Sequence, residues 1–186
     1  MIKENETYNK VDFTNSKLEK QYDCCTFTDC NFENVQLSNI TFIECEFIKC
    51  NFSNSKINNT AFKDVIFEKS KLLGVNFNDC NPFLLNFNFT DCDLTLASFY
   101  QLKIKTTAFT NSNLTEVDFT ETDLTNSKFD SSDLSKAIFE NSNLEKVDFS
   151  SAYNFKINPE VNKVKKATFS KENIEGLLNH LQIIIK

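Results

Sequence analysis

The residue types that most often do chemistry are scarce here or spaced against it. His180 is the one histidine in 186 residues, flanked by Asn179 and Leu181 with no carboxylate pair beside it. Acid–base or metal chemistry needs a second ligand or an orienting partner. Gly74 and Gly176 are isolated and make no phosphate-cradling loop. Serines and threonines fall at corner positions, where their hydroxyls are expected to satisfy local backbone, and none stands beside a base. Of the seven cysteines, Cys25, Cys30, Cys45, Cys50, Cys80 and Cys92 share one slot of a repeat; only Cys24 does not. That register suits small buried hydrophobes rather than zinc ligands or disulfides. The expectation is a protein that is not an enzyme, with no cofactor and no metal.

Carboxylates carry the remaining chemistry, which is charge. Net charge is −6, and every cationic side chain is lysine. A nucleic-acid binder would show a basic face, so direct DNA or RNA binding is not expected. Between Thr110 and Asn154, nine acids face Lys128, Lys136 and Lys146; from Phe155 onward lysines outnumber acids. An acidic balance by itself commonly means only solubility. Its placement suggests more. Asp93, Glu116 and Asp133 are expected on one side of the molecule, and Asp118, Glu121 and Glu140 on the next. With Asp123 they form the expected partner-binding flank.

These assignments rest on a repeat. From Phe89 to Phe149 every fifth residue is large and apolar, and two residues before each lies a mostly small or β-branched one. A period of five fits neither helix nor strand. Two inward residues in five suit a short extended segment and then a corner. Four such segments close a square coil of about twenty residues, so residues twenty apart should stack, with coils ~4.8 Å apart. Phe89, Phe109, Phe129 and Phe149 form one series, and Phe99, Phe119 and Phe139 another. Leu94, Leu114 and Leu134 form a third, and Ile104, Leu124 and Leu144 the fourth. The expected body is an all-β solenoid of about seven coils, spanning 11–154 after a lead-in at 1–10. At that spacing it is roughly 33 Å long, close to one ~34 Å turn of B-DNA.

Two breaks interrupt the register. One residue is missing near 22–24, and two extra ones fall within 78–88. Pro82 cannot donate to a ladder, so the second break reads as a bend between two stacks of coils, or as a projecting contact loop with Pro82 and Phe83. Gly74 is placed to permit a backbone angle closed to other residues. Segment 155–186 begins extended. Ser170 then reads as an N-cap, and Ile174, Leu177, Leu178 and Leu181 fall at helical spacing before Ile183, Ile184 and Ile185. This C-terminal α-helix is expected either to cap the last coil or to form a homodimer through Ile174, Leu177, Leu178, Leu181, Ile183 and Ile185. No apolar run is long enough to span a membrane, and Met1–Glu6 lacks a signal-peptide core, so the expected location is cytoplasmic.

Ser112-Asn-Leu-Thr-Glu116, Val117-Asp-Phe-Thr-Glu121 and Thr122-Asp-Leu-Thr-Asn126 resemble the pentapeptide-repeat family. The resemblance covers most of the chain and implies a right-handed quadrilateral β-helix. The stretches Leu73–Cys80 and Phe89–Ala97, with the overall length and the expected C-terminal helix, resemble its mycobacterial fluoroquinolone-resistance and Qnr-type subgroup. That subgroup consists of dimeric DNA mimics. The resemblance implies binding to DNA gyrase or topoisomerase IV here, and possible resistance to fluoroquinolones. Qnr-type proteins carry larger projecting loops, whereas this chain has an excess of two residues. The alternative is a generic protein-interaction scaffold with an unrelated partner.

Overall fold

A computed structural model describes residues 1–184. The chain winds into a four-sided right-handed β-solenoid of about eight turns. Its strands are short, because each side of the square holds only two to four extended residues. They are β1 (Ile2–Glu4), β2 (Thr7–Asn9), β3 (Gln21–Asp23), β4 (Thr26–Thr28), β5 (Thr41–Ile43) and β6 (Glu46–Ile48). Next come β7 (Ala61–Lys63), β8 (Val65–Glu68), β9 (Phe87–Thr90), β10 (Phe109–Thr110), β11 (Asp148–Phe149) and β12 (Thr168–Phe169). All pair in parallel, in the sheets β1-β3-β5-β7, β2-β4-β6-β8-β9-β10 and β11-β12. Because β1 and β2 pair in register with β3 and β4, segment 1–10 lies within the ladder, which adds a turn to the seven expected.

The stacking follows the sequence reading. Phe109 lies over Phe89 at 5.3 Å and under Phe129 at 4.9 Å, with interplanar angles of 9° and 6°. Rings on opposite walls meet edge-on, as for Phe99 and Phe109 at 5.8 Å and 80°. Each ring thus has parallel neighbours above and below and T-shaped ones across the core, both favoured aromatic geometries.

The small inward slot has a specific task. Ser142, Thr122, Thr60 and Ser55 donate their hydroxyls to the carbonyls of Phe119, Phe99, Leu37 and Phe32, twenty-three residues earlier, at 2.7–2.8 Å. Cys45 and Cys50 direct their thiols at the carbonyls of Tyr22 and Phe27, at 3.5 and 3.4 Å. Many hydroxyls expected at corners therefore lie buried and tie each coil to the one before. At most corners the residue two places after the inward one adopts positive φ, from Asn5 at 55° to Lys166 at 61°. Gly74 shares that angle, at 64°. The other corners show that the angle alone does not demand glycine; a Cβ at Gly74 would lie 2.9 Å from Asn54 Oδ1.

Both register breaks are present. The short coil loses its residue between Leu18 and Tyr22, since Tyr22 itself is an inward residue paired with Phe42. The Glu19 N–H donates to the Tyr22 hydroxyl at 3.0 Å and closes that tightened corner. The long coil pairs Phe67 with Phe89 across twenty-two residues. Its extra length forms a loop around Pro82–Leu85, and Phe87 fills the core beside it. The core plan changes there. Before the loop, three walls are mainly aromatic and one is aliphatic (Leu18, Leu37, Ile57); after it, two opposed walls are Phe and two are Leu or Ile.

The expected C-terminal α-helix is absent. Two 3-10 turns stand in its place, Ile174–Leu177 and Asn179–Leu181. Gly176 disfavours an α-helix interior, and here it makes a contact no other residue could. A Cβ on Gly176 would lie 2.5 Å from the Phe155 ring, and its carbonyl accepts the Ile157 N–H at 3.0 Å. Ser170 still behaves as a cap, accepting the Asn173 N–H at 3.2 Å. Gln182, at φ 52°, ends the second turn.

Candidate partner-binding flank

The acidic residues separate into two kinds. Asp93, Asp118, Asp123 and Asp133 each precede a large inward residue, and each accepts the backbone N–H two residues on, at 3.1, 2.8, 3.1 and 3.0 Å. These Asx turns hold the carboxylates in fixed positions on the sides of the square. Asn113 does the same for Thr115 at 3.1 Å, as does Asn31 for Glu33. The fold therefore accepts aspartate or asparagine in this slot.

Glu116, Glu121 and Glu140 are exposed. Glu116 pairs with Lys136 at 2.8 Å, Glu121 accepts from Gln101 Nε2 at 2.8 Å, and the ion pairs among the described residues do not include Glu140. Asp123 pairs with Lys105 at 3.2 Å. Partial burial pushes the Asp123 and Asp133 carboxyls up. Hydrogen bonds from Thr125 and Lys105 to the first, and from Asn154 and Ser135 to the second, outweigh it and hold both below the usual carboxylate range.

Ladder pairing places the aspartates in separate columns. Asp93, Asn113, Asp133 and Tyr153 form one column, and Ser98, Asp118 and Ile138 another. Asp123 lies on the next side, between Lys103 and Asn143. Exposed Leu96, Tyr100, Ile138 and Tyr153 interleave with the acids. Sequence reasoning passed over these four, although Ile138 and Tyr153 stand in the same slot as the Asx residues.

Two apolar features lie elsewhere. On the inserted loop, Phe83 and Leu84 are 67% and 64% exposed. Asn81 Oδ1 accepts the Phe83 N–H at 2.9 Å, Asn86 donates to Asp64 at 2.7 Å, and Lys63 Nζ lies 5.5 Å from the Phe83 ring centroid. At the C-terminal end, Ile174, Leu181, Ile183 and Ile184 are exposed, while Leu177 packs on the core and Leu178 is half-buried. Ile185 lies outside the described residues. A cleft of 380 Å3 beneath the terminal turns is lined by Ile138, Glu140, Lys156 and His180 among others. The buried Nδ1 of His180 has no hydrogen-bond partner. Among the described residues no group of His, Cys, Asp and Glu could hold a metal ion, and no helix is long and apolar enough to cross a membrane.

The class is a four-sided β-solenoid whose distinguishing surface is an ordered array of carboxylates. A family model described as a pentapeptide repeat region matches residues 81–149, and one of eight pentapeptide repeats matches 23–59 and 45–81. Together these cover more than half of the chain, which belongs to the pentapeptide-repeat family. A trypsin-treated variant of QnrB1, a plasmid-mediated fluoroquinolone resistance protein, superposes with a TM-score of 0.65 at 14% identity, covering 100% of this chain and 98% of that one. Full-length QnrB1 gives 0.56 at 14% identity, with 98% and 100% covered. At such identity the likeness is one of fold. No curated protein sequence matches this chain significantly.

Proposed function

We propose that this chain is a non-enzymatic DNA mimic that binds a type II topoisomerase, DNA gyrase or topoisomerase IV, in the cytoplasm as a homodimer joined at its C-terminal end. One observation carries the reading. The Asx slot accepts asparagine at Asn113 and Asn143, yet Asp93, Asp118, Asp123, Asp133 and Asp148 hold the other five Asx turns between residues 93 and 148. Charge is therefore a choice that folding does not make. Fixed carboxylates offer a basic saddle a preorganised array, much as phosphates do. The fold shared with a fluoroquinolone resistance protein points the same way, and the exposed Ile174, Leu181, Ile183 and Ile184 supply an apolar surface for the second copy.

The test is gyrase supercoiling, with and without a fluoroquinolone, in the presence of wild type or of the triple variant Asp118→Asn, Glu121→Lys, Glu140→Lys. Asparagine at 118 keeps the turn. Wild type is expected to inhibit supercoiling and the folded variant to have lost that effect; equal inhibition removes the reading. A generic interaction scaffold remains the second reading, favoured by the loop that holds Phe83 and Leu84 in water. It predicts no effect on gyrase by either protein and loss of another partner with Phe83→Ser.

A further inference from the structure

We propose that Lys3 keeps the N-terminal end of the solenoid from pairing with a second copy of this chain. Every later coil before the loop puts a large aromatic residue in this inward slot: Tyr22, Phe42 and Phe62, stacked at 5.4 and 5.7 Å. Lys3 pairs with Tyr22 at the foot of that column. The other slots of the first coil continue the apolar core, with Tyr8 stacked on Phe27 at 4.8 Å and Phe13 on Phe32 at 4.5 Å. Strands β1 and β2 are the end members of their sheets, and no strand among the described residues pairs with their outer edges. An open strand edge above an apolar floor is a template for further pairing.

The occupant that fits this end is another copy, because only another coil repeats the four-sided outline, the ring positions and the strand spacing together. Docking there would take the Lys3 ammonium out of water. It is 35% exposed and 3.7 Å from Glu6, and the Met1 ammonium sits on the same rim, 3.2 Å from Glu19. Desolvating such groups opposes association. The two ends of the rod therefore differ. If copies join at the C-terminal end, as the proposed function holds, a blocked N-terminal end stops growth at two copies instead of letting an open filament form.

Sedimentation velocity of the full chain over a range of concentrations tests this, comparing wild type with Lys3→Phe and Lys3→Arg. Lys3→Phe is expected to at least double the limiting mass relative to wild type, and Lys3→Arg to match wild type. Lys3→Ile repeats the test with a smaller side chain should Phe not be accommodated, and circular dichroism verifies folding. Folded Lys3→Phe and Lys3→Ile proteins with the wild-type mass overturn the proposal, as does association of Lys3→Arg. Failure of the C-terminal dimer would instead appear as a monomeric wild type, which leaves the comparison intact.

Discussion

Within one five-residue unit each position answers to a different force. The large residue fills the core, the one before it often closes a turn, and the small one, where it is Ser, Thr or Cys, supplies a donor to the previous coil. Ser142→Ala strips the Phe119 carbonyl of that donor in a buried site. That carbonyl keeps the Thr122 N–H at 3.1 Å, so the expected cost is that of one hydrogen bond, about 0.5–1.5 kcal/mol, read as a lower midpoint in urea unfolding. Ser142→Cys should be closer to neutral, since Cys45 and Cys50 already fill the slot with thiols. The turn-closing aspartates add a pH dependence. Asp123 and Asp133 have folded pKa values below the ordinary carboxylate value of about 3.9, so the stability they contribute is complete above that value and lost as pH falls through the lower folded ones. The double variant Asp123→Asn, Asp133→Asn keeps both turns and should show a shallower loss of melting temperature between about pH 5 and about pH 2. The slots were legible in sequence because their spacing is strict. The partner of the hydroxyl was not, because carbonyl direction is set by corner geometry and leaves no trace in residue type.

At the scale of elements, the C-terminal segment shows how spacing can mislead. Ile174, Leu177, Leu178 and Leu181 recur at three and four, which suits an α-helix; two successive 3-10 turns satisfy the same pattern. The deciding residue is Gly176, whose contact with Phe155 leaves no room for a side chain. Gly176→Ala should lift the terminal turns from the last coil, at a cost of about 1–3 kcal/mol, seen as faster hydrogen exchange at the Ile157 amide. The inserted loop behaves differently. Leu84 is exposed and has φ 56°, an angle unfavourable for leucine. Leu84→Asn should therefore raise stability, by about 1 kcal/mol or less; a fall would mean that the side chain packs in the folded protein. The length of the insertion was legible from the register. Its change of core plan follows from which walls carry Phe on either side.

For the whole molecule, a strict repeat fixes shape and leaves the surface free. Fold class could thus be read from Phe and Leu spacing alone, and coil number fell short at both ends: Lys3 occupies an inward slot and hides the first turn, and Phe169 stacks on Phe149 beyond the point where the repeat fades. The flank was visible as a run of acids, but its division into turn-holding aspartates and exposed glutamates needed the hydrogen bonds. Charge complementarity implies that partner binding weakens with salt. The most direct measurement is competition: purified gyrase holding a fluorescently labelled DNA duplex, titrated with this protein at low and at physiological salt. A DNA mimic displaces the duplex, less effectively as salt rises. A ternary complex in which duplex and protein sit on the enzyme together would contradict the account.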